Sequence, residues 1–373
     1  MDKIAILLPD FEEGGMPVVA SNLLSGLSKE YLVDIILIKS NRPIKYNTYD
    51  SRVIKLGKEH KFKIQKYLQK LLFVFKLRKM KRKNKYKAVI SYGVLAGILN
   101  IISNPKRINT KSICTIHNVE SIEDTQLGLS GEIFDFSLKT LFKRAYKVVA
   151  ISQGIQNDLN QKYGLHNVTT IYNPHRFYKK DSSVEYVQKS SINLAVVSRL
   201  EKSKRVDNLI CQIQKIIKQG YKVNLWIAGN GSEKERLKEL ANTLKIEKNI
   251  QFLGFVKNVH KLMSKSDFLL LDSTNEGFPN VILESLIAGT PVISEDIYCG
   301  PREILFDLKK IDYSVQLKND IKIFNNGILC KDIYDGILYG INHVEDFNVS
   351  TILLEKKLNI DKISKQYIEL IDE

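Results

Sequence analysis

The chain has 373 residues, 44% hydrophobic and 26% charged, which suits two α/β domains of roughly 150–200 residues each. No long apolar run occurs, so no transmembrane helix is expected, and four scattered cysteines (Cys114, Cys211, Cys299, Cys330) argue against a disulfide framework or a structural zinc site. The formal charge of +16 calls for an account of where the cations lie and what they meet.

The N-terminus, MDKIAILLPDFEEGG, reads as a first strand over Lys3–Leu8 and a loop rather than a signal peptide, because Asp2 precedes the apolar run and Pro9, Asp10 and Glu12 follow it. With no export signal, a cytoplasmic location is expected. Gly14-Gly15 follows, and a helix is predicted over Pro17–Leu27. Glycines there let the backbone approach a phosphate, although simple turn geometry explains them equally well. A second strand is predicted over Val33–Ile38 and a helix over about Phe62–Lys79. In that helix Ile64, Leu68, Leu71 or Leu72 and Phe75 recur at helical spacing, which predicts a stripe buried against a sheet. Between Lys58 and Lys87 lies a dense run of lysine and arginine opposed by Glu59 alone. Its end, Lys76–Lys87, predicts attraction to an anionic membrane surface at about 1 kcal/mol per cation. No zinc-finger or aromatic RNA-binding motif points to a specific nucleic acid. Strands are predicted at Ala88–Ser91, Ser112–His117 and Lys147–Ile151, and the polar stretch Lys179–Ser191 reads as a linker.

The βα grammar then restarts with a strand over Asn193–Ser198 and a helix over Val206–Lys218. A strand over Lys222–Ala228 leads through Gly229-Asn230-Gly231 into a charged helix, Ser232–Leu244. Strands follow at Asn249–Leu253, Asp267–Asp272 and Pro291–Ser294, and Thr351–Ile371 reads as one final helix. This alternation predicts parallel sheets covered by helices, with ligands at the carboxyl ends of the strands and a cleft between two Rossmann-like halves. No Asp-x-Asp and no histidine cluster of metal-ligand spacing is present, so a metal-dependent site is not supported.

The densest chemistry lies in Asn275–Gly289, NEGFPNVILESLIAG. The fixed φ of Pro279 suits the first position of a helix, whose opening N–H groups and dipole favour an anion, with Glu276 before the helix and Glu284 in its second turn. The sequence from Glu276-Gly277-Phe278-Pro279-Asn280 through Glu284 to Gly289-Thr290-Pro291-Val292-Ile293 resembles the Glu-x7-Glu signature of retaining glycosyltransferase family 4. The two-half organisation likewise resembles the GT-B fold.

That resemblance implies an N-terminal acceptor domain over residues 1–178, a nucleotide-sugar donor domain over 190–350, and a C-terminal helix (about 351–373) packing back on the first. It implies retaining, metal-independent transfer from a nucleoside diphosphate sugar, most simply a UDP-sugar, to a glycan or lipid-linked acceptor, with no cofactor beyond the donor. In family terms Glu276 faces the sugar hydroxyls and the ring's developing charge, and Glu284 accepts from the ribose hydroxyls. Backbone N–H groups of Gly277, Phe278, Asn280 and Val281 hold sugar and phosphate oxygens, while Pro279 has none to offer. Arg199 and Lys204 match the diphosphate-binding cations of a Gly-Arg-Leu…Lys-Gly motif, with Ser198 and Arg205 standing where relatives carry glycine. Gly14 and Gly15 resemble the N-terminal glycine loop, although Met16 and Pro17 replace the usual Ala and Glu. His117 matches a histidine lining the donor sugar site, and Gly229 and Gly231 shape the nucleotide pocket. Competing readings are a sugar-nucleotide epimerase, which the Arg199…Lys204 and Glu-x7-Glu pair opposes, and a degenerate GT-B protein that only binds a sugar nucleotide or a polyanion.

Overall fold

The computed structural model describes the chain apart from residue 13 and residues 40–42, 58–62, 106–107, 124–128, 179–190, 298, 312 and 314–319. The linker read over Lys179–Ser191 lies almost wholly outside the described residues. The chain divides into two compact units, one of Met1–Arg176 with Lys356–Glu373 and the other of Phe177–Glu355.

The first unit holds a seven-stranded sheet in the order β3-β2-β1-β4-β5-β6-β7. These strands are β1 (Lys3–Leu8), β2 (Leu32–Leu37), β3 (Arg52–Lys55), β4 (Ala88–Tyr92), β5 (Lys111–Ile116), β6 (Lys147–Ala150) and β7 (Val168–Thr170), all paired in parallel. Alternate residues of a strand serve opposite faces, and β1 shows the consequence. Ile4, Ile6 and Leu8 join one core cluster with Leu23, Leu24 and Leu27 of helix Gly15–Leu27. Ala5 and Leu7 join another with Phe73, Val74 and Leu77 of helix Lys63–Asn84.

Two expectations for this unit need correction. Helix Lys63–Asn84 runs five residues past the predicted end, so most of the lysine-rich stretch is helical. Its buried stripe is Phe73, Val74, Leu77 and Lys81, whereas Leu71, Leu72 and Phe75 are more than half exposed. The side chains of Ile64 and Leu68 lie outside the described residues. The stripe the sheet covers is a different one from that predicted, and it includes the aliphatic stem of Lys81. The predicted final helix also breaks in two, Ile352–Leu358 and Ile360–Asp372. Between them the Asn359 side chain accepts from the Lys362 N–H at 2.8 Å, and the backbone at His175 donates to Leu358 O at 2.8 Å. Ile363, Tyr367, Leu370 and Ile371 of the second piece complete the core beside β1 and helix Gly15–Leu27.

The second unit repeats the plan with β8 (Ile192–Val197), β9 (Val223–Ala228), β10 (Ile250–Gly254), β11 (Phe268–Leu271), β12 (Val292–Glu295), β13 (Ile321–Phe324) and β14 (Gly327–Cys330). The order is β10-β9-β8-β11-β12-β14-β13, parallel except for the antiparallel β13–β14 pair. Predicted strands shift by a residue or two but keep their identity. In each unit the strand order reverses beside the first strand, leaving a crevice at the carboxyl ends where α/β sheets bind ligands.

Candidate active site

In the second unit the crevice is walled by the loops after β8 and β11. The Thr274 N–H donates to Ser203 O at 2.9 Å, tying the two loops together. The first loop closes in a short 3-10 turn, Lys202–Lys204, which aims Lys204 at the second. Lys204 Nζ lies 2.6 Å from Glu276 Oε1, and both side chains are largely enclosed, at 17% and 14% exposure. A charge-assisted contact so short and so shielded is stronger than a surface pair.

Helix Asn280–Ile287 begins immediately beyond Glu276. Pro279, with φ −71° and ψ 101°, is its N-cap and not its first residue, so Asn280 and Val281 open the helix. The Gly277–Pro279 loop is braced from behind. Cys299 Sγ lies 3.0 Å from Glu276 O, and Gly300, at φ +73°, packs so tightly that a Cβ there would sit 2.5 Å from Pro279 Cδ. Phe278 is buried, and Glu284, one turn into the helix, has its carboxyl pushed up by burial.

Gly229 and Gly231 sit against the backbone of the β8 loop. A Cβ on Gly229 would meet Ser198 O at 1.8 Å, and one on Gly231 would meet Leu200 O at 2.1 Å. Their direct contribution is to let the β9 loop lie on the loop that carries Lys204, with the Leu200 N–H donating to Asn230 O at 3.0 Å.

Arg199 stands apart from the Lys204–Glu276 pair. Its side chain is 70% exposed and bonds Glu201 Oε1 at 2.9 Å. Arg205 turns inward instead. It adopts a left-handed backbone (φ 44°), the conformation that makes glycine the easy choice at this place, and its guanidinium reaches Glu295 at 2.7 Å and the fully buried Asp272 at 3.3 Å. Asn208 Nδ2 supports Asp272 from the next helix at 2.7 Å. Burial and the neighbouring Asp272 push the Glu295 carboxyl up, and Arg205 opposes them. Asp272 and Glu295 are site-flanking residues that no sequence motif announced, and the non-glycine after Lys204 was the available hint. The bidentate Arg302–Asp296 pair, at 2.5 and 2.6 Å, was likewise unforeseen.

The first unit carries its own cluster at the carboxyl ends of β4 and β5. His117 is the first residue past β5, its Nε2 2.8 Å from Thr115 Oγ1, and its ring stacks on Tyr92 with centroids 5.1 Å apart. Burial pushes the imidazole down to about 4, so it is neutral near pH 7. Gly14 caps helix Gly15–Leu27 at φ 116° with open space where a Cβ would lie, and Pro17 falls in the first turn, where no helical N–H is needed. Among the described residues no group of three or more His, Cys, Asp or Glu is arranged to hold a metal ion. All four cysteines are free thiols.

Two family descriptions match the chain in succession, Glycosyltransferase Family 4 over residues 13–175 and Glycosyl transferases group 1 over residues 179–328. An uncharacterized glycosyltransferase of Methanocaldococcus jannaschii is 28% identical over 69% of this chain and 66% of its own length. The N-acetylgalactosamine-N,N'-diacetylbacillosaminyl-diphospho-undecaprenol 4-alpha-N-acetylgalactosaminyltransferase of Campylobacter jejuni is 25% identical over 87% of this chain and 88% of its own. Across three curated relatives the matched stretches take in 66%, 54% and 52% of the relatives' lengths. Among solved structures, Anabaena Alr3699/HepE in complex with UDP-glucose has a TM-score of 0.73 at 17% identity, covering 99% of both chains, a likeness of fold.

Proposed function

The chain belongs to the group 1 glycosyl transferases and has the GT-B fold, and from that premise we propose that it moves a sugar from a nucleoside diphosphate sugar, most simply a UDP-sugar, to a glycan or lipid-linked acceptor with retention of configuration and without a metal ion. The observation that carries this reading is the enclosed Lys204–Glu276 pair beside the start of helix Asn280–Ile287. Breaking a sugar–phosphate bond puts negative charge on the leaving diphosphate and positive charge on the ring. Lys204 and the first-turn N–H groups meet the first; the Glu276 carboxylate meets the second. Glu284 receives the ribose hydroxyls, and the leaving phosphate takes the proton of the acceptor hydroxyl, so no separate base is required. His117, neutral, serves as a hydrogen-bonding wall for the sugar. Arg199, exposed on the same loop as Lys204, supplies a second cation for the diphosphate. A lipid-linked acceptor places the enzyme on the cytoplasmic face of the plasma membrane, in the assembly of a cell-surface polysaccharide.

The test is a panel of UDP-, GDP- and dTDP-sugars assayed for nucleotide release and for thermal stabilisation, with and without EDTA. A UDP-sugar is expected to stabilise the protein and to be turned over in EDTA. Lys204→Ala and Glu276→Ala should each lose about a hundredfold or more in kcat/KM. Turnover unchanged in both variants would overturn the assignment. Binding without turnover on any donor or acceptor would place the chain with non-catalytic binders.

A further inference from the structure

The lysine-rich segment is not a uniform cloud of charge. Lys81 is buried and donates to Asn100 O and Oδ1 at 2.7 and 2.8 Å. Lys76 Nζ donates to Leu56 O at 2.6 Å, Arg78 to Ile102 O at 3.2 Å, and Lys87 pairs with Asp2 and Asp372. Lys76, Arg78 and Lys81 bind the helix to its own unit and fix how it is rolled, and Lys87 ties down the chain just past its end. What the roll leaves outside is a second face, opposite Phe73, Val74 and Leu77. Leu71, Leu72 and Phe75 lie on it at 59%, 58% and 62% exposure, and Lys79, Arg82 and Lys83 continue it at helical spacing, all three exposed. The Arg78 guanidinium lies 5.9 Å from the Phe75 ring. No acidic residue occurs anywhere in Lys63–Asn84.

We propose that this outer face of helix Lys63–Asn84 is a monotopic membrane-docking surface, lying in the plane of an anionic bilayer with Leu71, Leu72 and Phe75 in the interface and Lys79, Arg82 and Lys83 on lipid phosphates. The occupant follows from charge and shape together. A protein partner for three apolar side chains does not call for a row of cations with no anion among them, whereas an anionic lipid surface calls for both. Neither signal alone gives firm attachment, and the two combine along one helix. Among the described residues no helix is long and apolar enough to cross a membrane, consistent with a helix that lies on the surface. The inference rests on the proposed lipid-linked acceptor for its purpose, but its evidence is the helix itself.

Full-length protein is sedimented with vesicles of phosphatidylcholine alone or of phosphatidylcholine with phosphatidylglycerol. Wild type is expected to bind the anionic vesicles only. Lys79→Glu/Arg82→Glu/Lys83→Glu should lose about a hundredfold or more in partitioning, and Leu72→Ser/Phe75→Ser about tenfold. Both variants should keep the wild-type melting temperature, because the altered side chains are exposed, and should keep nucleotide release on a soluble acceptor. Lys362→Glu/Lys365→Glu, on another exposed face, should bind as wild type does. The proposal is overturned if either patch variant binds like wild type, or if uncharged vesicles bind equally well. It is also overturned if gel filtration reveals a dimer that Phe75→Ser dissolves, which would give the face to a second copy. Nucleotide release is read separately, so loss of docking and failure of the transferase reading cannot be confused.

Discussion

Arg205 carries more of the local electrostatics than its half-buried position suggests. It holds a left-handed backbone, a strain of about 1 kcal/mol for a residue with a Cβ, and uses it to stand between Asp272 and Glu295. Replacing it with glycine removes the strain and also the guanidinium that stands between the two carboxylates. The Glu295 pKa is already raised in the folded state by burial and by Asp272, so folding takes up a proton and stability falls as pH rises above the ordinary carboxylate range. Without the guanidinium the carboxyl is pushed up further, and the fall, limited to one proton, carries on to higher pH. Arg205→Gly should therefore keep a constant offset from wild type between about pH 5 and 7 and fall progressively below it as the pH rises past about 8, as followed by thermal scans. A pH-independent difference would mean that backbone strain and not charge governs the position.

Helix Lys63–Asn84 shows how an element can be legible in outline and misread in detail. Its existence and its charge were plain from the sequence, but the stripe read from periodicity, with Leu71 or Leu72 and Phe75, faces outward, and the buried one contains a lysine. Burial pushes Lys81 down to about 7, below its unfolded value of 10.5. Between those values the unfolded chain binds a proton that the folded chain does not, so this group makes stability rise with pH from about 7 to 10.5, by at most about 1.4 kcal/mol per unit. Lys81→Met should flatten that rise in unfolding curves measured from pH 7 to 10, whatever constant offset follows from leaving Asn100 without its donor. Other elements escaped the sequence for physical reasons. Strand β3 is four residues long with no buried position, and cross-strand Arg52–Asp34 hydrogen bonds at 2.6 and 3.2 Å help hold it at the sheet edge. Strand β14 is four residues, Gly327–Cys330, all buried, a run too short for either period to register. The donor-side signature was legible because one contiguous segment supplies its loop, its cap and its carboxylates. The Asp272–Arg205–Glu295 cluster was not, because its members come from three segments far apart in the chain, the last of them the end of β12.

At the scale of the molecule, the sheets belong to different units but the chain does not respect that division. Tyr367, 4% exposed, lies in the first unit's core beside Ile363 and Leu370. Lys29, Tyr31 and Lys87 reach Asp361 or Asp372 at 2.7–2.8 Å. Tyr367→Ala should cost the first unit about 3–5 kcal/mol. The chain has a single tryptophan, Trp226 on β9, so its fluorescence reports the second unit alone. In denaturant, circular dichroism should show an earlier transition for Tyr367→Ala while the Trp226 transition stays where it is in wild type. A matching shift in both signals would mean that the units unfold as one.

The same return of the chain orders events on the ribosome. Residues 356–373 are translated only after every residue of the second unit. The first unit's sheet therefore leaves the exit tunnel with a slot open beside helix Gly15–Leu27, where Gly26 has no side chain because Ser364 will sit against it. The half made first is the half finished last, and the second unit has its whole sequence available to fold while its neighbour still waits for a helix.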